Sequence, residues 1–126
     1  MTNDNPIGWF EIPVTDMDRA IAFYEKVFGH TFQKHKMGEI EMAFFPYVKD
    51  GTGATGTLAK HEWYKPSQDG VVIYFTAKSG DCANELAKVK EAGGTVIVDK
   101  KSIGEHGFIG IFIDSEGNKV AVHSMK

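Results

Sequence analysis

The sequence is short of several things at once, and each shortage excludes a class of protein. There is one cysteine, Cys82, in 126 residues. No intrachain disulfide can form and no cysteine cluster can hold zinc, so a reducing, cytoplasmic setting is expected. There is one arginine, Arg19, among 14 basic side chains. A site that grips a polyanion would therefore rely on lysines or backbone amides rather than on the planar guanidinium fork. Basic excess is missing too. The formal net charge of −3 sets up no field that draws nucleic acid or an anionic membrane. No apolar run approaches the ~20 residues a membrane span needs. The polar opening run Thr2-Asn3-Asp4-Asn5 lacks the charged-then-apolar character of a signal peptide. The length excludes a TIM barrel, a complete dinucleotide-binding enzyme and a kinase.

What is present reads as one ordinary globular domain, with 42% hydrophobic and 25% charged residues. Phe10, Ile12 and Val14 alternate with Trp9, Glu11 and Pro13, which is strand periodicity. Pro13 belongs at the end or edge of such a strand, because it cannot donate to a ladder. Asp16 can cap a helix whose Met17, Ala20, Ile21, Tyr24, Val27 and Phe28 recur at helical spacing, and Gly29 stops it. Strands are predicted over 30–36, 39–47 and 55–61, followed by a loop over 62–69. The order then repeats: a strand over 71–77, a helix over 81–92, strands over 95–101 and 108–114, a turn at 115–118 and a strand over 119–124. Asp16 matches Asp81 and Gly29 matches Gly94, so the helices share one register at an offset of about 65 residues. Each half is too small to make a deep cleft alone; two together can enclose a ligand.

The run from Phe10 to Ala20, with Phe23-Tyr24 and Phe28-Gly29, resembles the opening module of the vicinal oxygen chelate superfamily. That superfamily comprises glyoxalase I, extradiol dioxygenases, fosfomycin-resistance and bleomycin-resistance proteins. Glu91-Ala92-Gly93-Gly94 and Asp114-Ser115-Glu116-Gly117-Asn118 are similar to the helix end and late turn of its closing module. The resemblance covers nearly the whole chain and is greatest to the small glyoxalase-related proteins. It implies an α+β fold of two tandem βαβββ modules, about 7–62 and about 70–124, forming a curved mixed sheet around a cleft with the helices on its outer faces. It also implies a homodimer.

The resemblance further implies a divalent metal held by His and Glu from the first and last strand of each module, with open positions for substrate. The matching positions here are Trp9, a residue near Leu58, Val71 or Val72, and Ala121. None is a ligand for such a metal. No cofactor is expected, and a metal only if its ligands are relocated to Glu11 and His123, with His61, Glu62 and His106 as further donors.

Two side chains are candidate acid–base groups. Glu11 is predicted to point inward from an apolar strand, where a carboxylate serves a working site or a structural pair. His123 lies at the inward phase of the last strand and has a pKa suited to proton transfer. Candidate ligand contacts are Trp9, Glu11, Lys60, Trp63, Tyr64, Glu105, His106 and His123: aromatic walls and a few polar groups, the usual makeup of a small-molecule site. The Gly-flanked turn holding Glu105 and His106 also reads as a plain hairpin, the simpler of the two readings, and lacks the Gly-Lys-Ser/Thr ending of a phosphate loop. Phe45 and Phe75 read as core, and Cys82 as an inert buried thiol.

The expectation is a metal-free, glyoxalase-like protein that binds a small organic molecule and performs lyase- or isomerase-type chemistry. A drug- or metabolite-sequestering protein of the bleomycin-resistance type is the first alternative. A metal-dependent glyoxalase I-type lyase with shifted ligands is the second.

Overall fold

The computed structural model describes residues 5–126; Thr2, Asn3 and Asp4 of the polar opening run lie outside them. Eight strands and two α-helices fall in two repeats of one order: β1 (Phe10–Pro13), α1 (Met17–Phe28), β2 (Gln33–Met37), β3 (Ile40–Phe44) and β4 (Gly56–Lys60), then β5 (Tyr74–Thr76), α2 (Cys82–Val89), β6 (Thr95–Ser102), β7 (Phe108–Ile113) and β8 (Lys119–Ser124). The strands form two four-stranded mixed sheets, β1-β4-β3-β2 and β5-β8-β7-β6. In both, the first strand of the module runs parallel to the last. The chain is therefore α+β and built of tandem βαβββ units. The expected single curved sheet is two halves here, with β1 and β5 as edge strands carrying no rung between them.

Local chemistry accounts for the elements. Asp16, in extended conformation, accepts from the Arg19 amide at 3.0 Å and starts α1. Gly29 ends it at φ 75°, a left-handed turn that returns its N–H to the Glu25 carbonyl. Met17, Ala20, Phe23, Tyr24, Val27 and Phe28 form the buried stripe between these caps. Asp81 caps α2 in the same way, through the Ala83 amide. That helix stops at Val89, three residues before the predicted end, and Lys90–Gly93 turn instead. Strand β2 has every residue exposed and carries two lysines, which suits an outer edge that must not pair with another chain.

Ile12, Val14, Leu58, Val120 and Val122 face one continuous core together with the helices of both modules. Aromatic rings cross the module boundary: Phe28 meets Phe75 at 4.7 Å and Phe23 meets Phe112 at 6.0 Å. By alternation, Glu11, Thr57, Ala121 and His123 lie on the opposite faces of their sheets.

The turn 114–118 ties the modules together with polar groups. Buried Asp114 accepts from the Tyr24 hydroxyl at 2.6 Å, and Asn118 donates to the Pro13 carbonyl at 2.8 Å. Burial and the neighbouring carboxylate keep the Tyr24 phenol protonated. Glu116 accepts from the amides of Thr15 and Asp16, each at 2.8 Å, and pairs with Arg19 at 2.7 Å. Burial opposes its ionisation, but Arg19 and the donors at the start of α1 prevail and bring its pKa down to about 2. A carboxylate with a lowered folded-state pKa stabilises the fold above its ordinary pKa, and that contribution fades as the pH falls toward the folded value. Glu116→Gln should therefore cost about 2 kcal/mol at pH 7. In urea unfolding at successive pH values, the gap between variant and parent should close between about pH 4.5 and pH 2.

Candidate binding cavity

The free edges of β1 and β5 border a cavity of about 1000 Å³, large enough for a drug-sized molecule. Trp9, Phe45, Tyr74 and Phe75 supply much of its apolar wall, and Glu11 is the carboxylate on it. Phe45 and Phe75, predicted as plain core, are buried among other rings and also line this space. Trp9, 45% exposed, leans edge-on against Phe44 at 5.9 Å.

Glu11 is held by its strand register opposite Thr57 and by the hydroxyl of Tyr64, which donates to Oε1 at 2.7 Å. That hydrogen bond raises the Tyr64 pKa, so the phenol stays a donor. Tyr64 comes from the loop after β4, so the site joins an edge strand to the inter-module connection. No protein donor reaches Oε2 among the described residues.

The other predicted residues divide away from this cavity. His123 is not part of its lining. Its Nε2 sits 2.6 Å from the His106 carbonyl. A carbonyl only accepts, so Nε2 is the donor in this contact. His106 takes part through its backbone; its side chain is exposed and lies 3.8 Å from exposed Glu105 in the 3₁₀ turn Gly104–His106. Lys60 faces Glu41 at 3.9 Å and, with His61, Glu62 and Tyr64, borders a separate pocket of about 380 Å³. Trp63 is 75% exposed and rests on the His61 ring at 4.5 Å. Glu11, Tyr64 and Trp9 thus come together, while His123, His106 and Glu105 form a second group beside β8.

The strand register also fixes the four positions at which a metal was implied. Val14 donates to the Ala59 carbonyl and Ala77 to the His123 carbonyl, so these bonds are equivalent in the two modules. Counting from them, Glu11 corresponds to Tyr74 and Trp9 to Val72, while Thr57 corresponds to Ala121. The position placed near Leu58 from sequence is thus Thr57; Leu58 itself is fully buried in the core and belongs to the other face. The set is therefore Trp9, Thr57, Val72 and Ala121. The one oxygen in it, the Thr57 hydroxyl, bonds backbone carbonyls. These side chains do not fit a divalent metal, and no three His, Cys, Asp or Glu residues gather among the described residues.

His30 also lines the cavity, a position that periodicity and motif do not single out. It follows the cap of α1, and the left-handed Gly29 turns it back beside Phe28. Its ring stacks on Phe28 at 5.3 Å, meets Phe45 at 5.4 Å and lines the cavity. Its Nδ1 is buried with no hydrogen-bond partner among the described residues, and burial, aided by Lys78, lowers its pKa to about 4. A histidine directly after a helix-stopping glycine, followed by Phe32, was the available signal.

A mixed-sheet pair of βαβββ modules with a cavity at their seam defines a class of protein. Residues 6–122 match the profile of the Glyoxalase/Bleomycin resistance protein/Dioxygenase superfamily, and the chain belongs to that family. It is 32% identical over 120 residues to a glyoxylase-like domain-containing protein of Didymella fabae, covering 92% of this chain and 91% of that one. Its fold is similar to that of glyoxalase I from Zea mays, with a TM-score of 0.67, 21% identity and 94% of this chain covered. The chain spans only 46% of the maize enzyme. It is also similar to the fosfomycin resistance protein FosX from Listeria monocytogenes, with a TM-score of 0.68 and 14% identity over 99% of this chain and 94% of that one. No helix among the described residues is long and apolar enough to cross a membrane.

Proposed function

We propose that the protein binds a small organic molecule in the cavity between β1 and β5 and acts on it by acid–base chemistry, as a lyase- or isomerase-type enzyme without the divalent metal of its relatives. The observation that carries this reading is Glu11: a carboxylate on an otherwise largely apolar cavity wall, oriented by Tyr64 through one oxygen and open at the other. In such surroundings a carboxylate is a competent general base. Glu11 takes a proton from the carbon next to a carbonyl, and the Tyr64 hydroxyl fixes its direction. His123 lies outside the cavity lining, so the step is given to Glu11 alone. A cytoplasmic location goes with the single buried cysteine. A homodimer goes with the exposed apolar rim at Ile7, Val48 and Val71, and sedimentation should return the mass of two chains.

Proton exchange tests the reading. With phenylacetone in D₂O, NMR should show exchange of the protons beside the carbonyl to be faster with the protein than in buffer, and about 10²-fold slower with Glu11→Gln. Equal rates for the two proteins, with ligand still bound, would support the sequestering alternative instead. Zn²⁺, Ni²⁺ or Mn²⁺ should leave the melting temperature unchanged; a metal-induced rise of several degrees would favour relocated ligands.

A further inference from the structure

The charge around the cavity runs opposite to the charge of the chain. Lys65, Lys78 and Lys119 line it, against the single carboxylate of Glu11. The chain as a whole carries −3. None of the three lysines enters an ion pair among the described residues, whereas Lys26, Lys34, Lys60 and Lys100 all pair with carboxylates elsewhere. The Glu11 carboxylate accepts from the Tyr64 hydroxyl through Oε1 and enters no ion pair among the described residues. Three lysines outside any ion pair thus border a space whose walls are otherwise largely aromatic and aliphatic.

His30 adds an aromatic surface without adding charge. It sits within a ring cluster with Phe28, Phe32, Phe45 and Phe75. Protonation would give its buried, unpartnered Nδ1 a hydrogen with no acceptor and set it against the Lys78 ammonium. The other charged groups on the cavity are Glu11, Lys65 and Lys119. The imidazole is therefore a neutral plate at neutral pH, next to a fixed cation.

Resting on the cavity reading above, we infer that the ligand is an amphipathic organic anion: an aromatic or branched apolar body laid against Phe45, Phe75 and His30, with a carboxylate drawn in by the lysines at the two ends of β5, Lys78 at one and Lys65 with Lys119 at the other. A neutral ligand of the same shape leaves three cations unused. A cationic one meets like charge in a partly dehydrated space, where repulsion is least screened. The single arginine of the chain is committed to Glu116, so lysines recognise the anion as point charges rather than through a bidentate fork.

The test uses three probes of one shape: 4-phenylbutyrate, 4-phenylbutan-1-ol and 4-phenylbutylamine. Trp9 lines the cavity and Trp63 is exposed, and these are the two tryptophans of the chain. In a Trp63→Phe background, fluorescence reports occupancy through Trp9 alone. The carboxylate should bind most tightly and the amine most weakly, with about tenfold or more between them at low salt. In the Lys65→Met, Lys78→Met, Lys119→Met triple variant the three affinities should converge to within about twofold. The preference should be flat from pH 6 to pH 8, because His30 does not charge in that range. An order with the alcohol or amine first overturns the inference while leaving the cavity reading standing. So does a carboxylate preference that survives in the triple variant. Failure of all three probes to perturb Trp9 overturns both.

Discussion

Asp114→Ala should lower the unfolding free energy by about 3–5 kcal/mol, a large share of the ~5–15 kcal/mol typical of a domain. The Asp114 side chain is 3% exposed and accepts four hydrogen bonds: from the Tyr24 hydroxyl at 2.6 Å, the amides of Glu116 and Asn118 at 2.8 and 2.9 Å, and the Asn118 side chain at 3.1 Å. Deleting it leaves the fully buried Tyr24 hydroxyl without its acceptor and releases the turn that presents Glu116 to α1. Each stranded donor carries its own desolvation cost. Tyr24→Phe removes only one of these bonds together with its donor, and should cost about 1 kcal/mol. Urea midpoints of the two variants separate the network from the single bond. Near-equal losses would mean that the turn holds its shape without the aspartate.

Gly56→Ala should cost about 3 kcal/mol and abolish probe binding in the cavity. Gly56 stands opposite Phe10 in the parallel pair of β1 and β4. A Cβ there would lie 2.1 Å from the Phe10 carbonyl oxygen and 2.7 Å from its ring. A flexible side chain could swing aside, but a backbone carbonyl in a ladder cannot, so β1 must move. That strand carries Glu11 and follows directly on Trp9, so the damage reaches the binding site as well as the core. Gly8→Ala, where a Cβ meets nothing within 4 Å, should change stability by less than about 0.5 kcal/mol. Urea unfolding gives the first effect, and Trp9 fluorescence with 4-phenylbutyrate the second. Full binding by a destabilised Gly56→Ala protein would show that β1 can shift without disturbing the cavity.

The repeated order of strand, helix and three strands was legible because it rests on local chemistry. Asp16 and Asp81 cap helices by offering a carboxylate to free amides, and Phe10, Ile12 and Val14 alternate as a half-buried strand must. Element ends were less legible. Helix α2 stops at Val89 because the turn into Gly93 and Gly94 recaptures the Val89 carbonyl, a competition that periodicity does not register. Glu11 was readable as an inward carboxylate through the period of two. His30 was not, because its place depends on which rings the other module brings: Phe75 lies 45 residues further on. The distribution of the lysines was equally hidden. Lys60 and Lys78 look alike in sequence, yet one faces Glu41 and the other an open cavity. The separation of Glu11 from His123 is a property of how two sheets meet, which alternation within each strand does not determine.

The order in which the chain is made gives the turn 114–118 another consequence. The groups that complete the start of α1 lie 97 to 101 residues downstream of it. At ribosomal rates of roughly 5–20 residues per second, Thr15, Asp16 and Arg19 wait several seconds for Glu116 to be added. During that interval α1 has its own cap from Asp16 but no partner for Arg19, and the Tyr24 hydroxyl has no Asp114. The first module emerges with its apolar stripe formed and its polar closure missing. Completion comes only with the turn 114–118, so a nascent polypeptide truncated before residue 114 should remain exposed to chaperones and proteases, however well its first helix has formed.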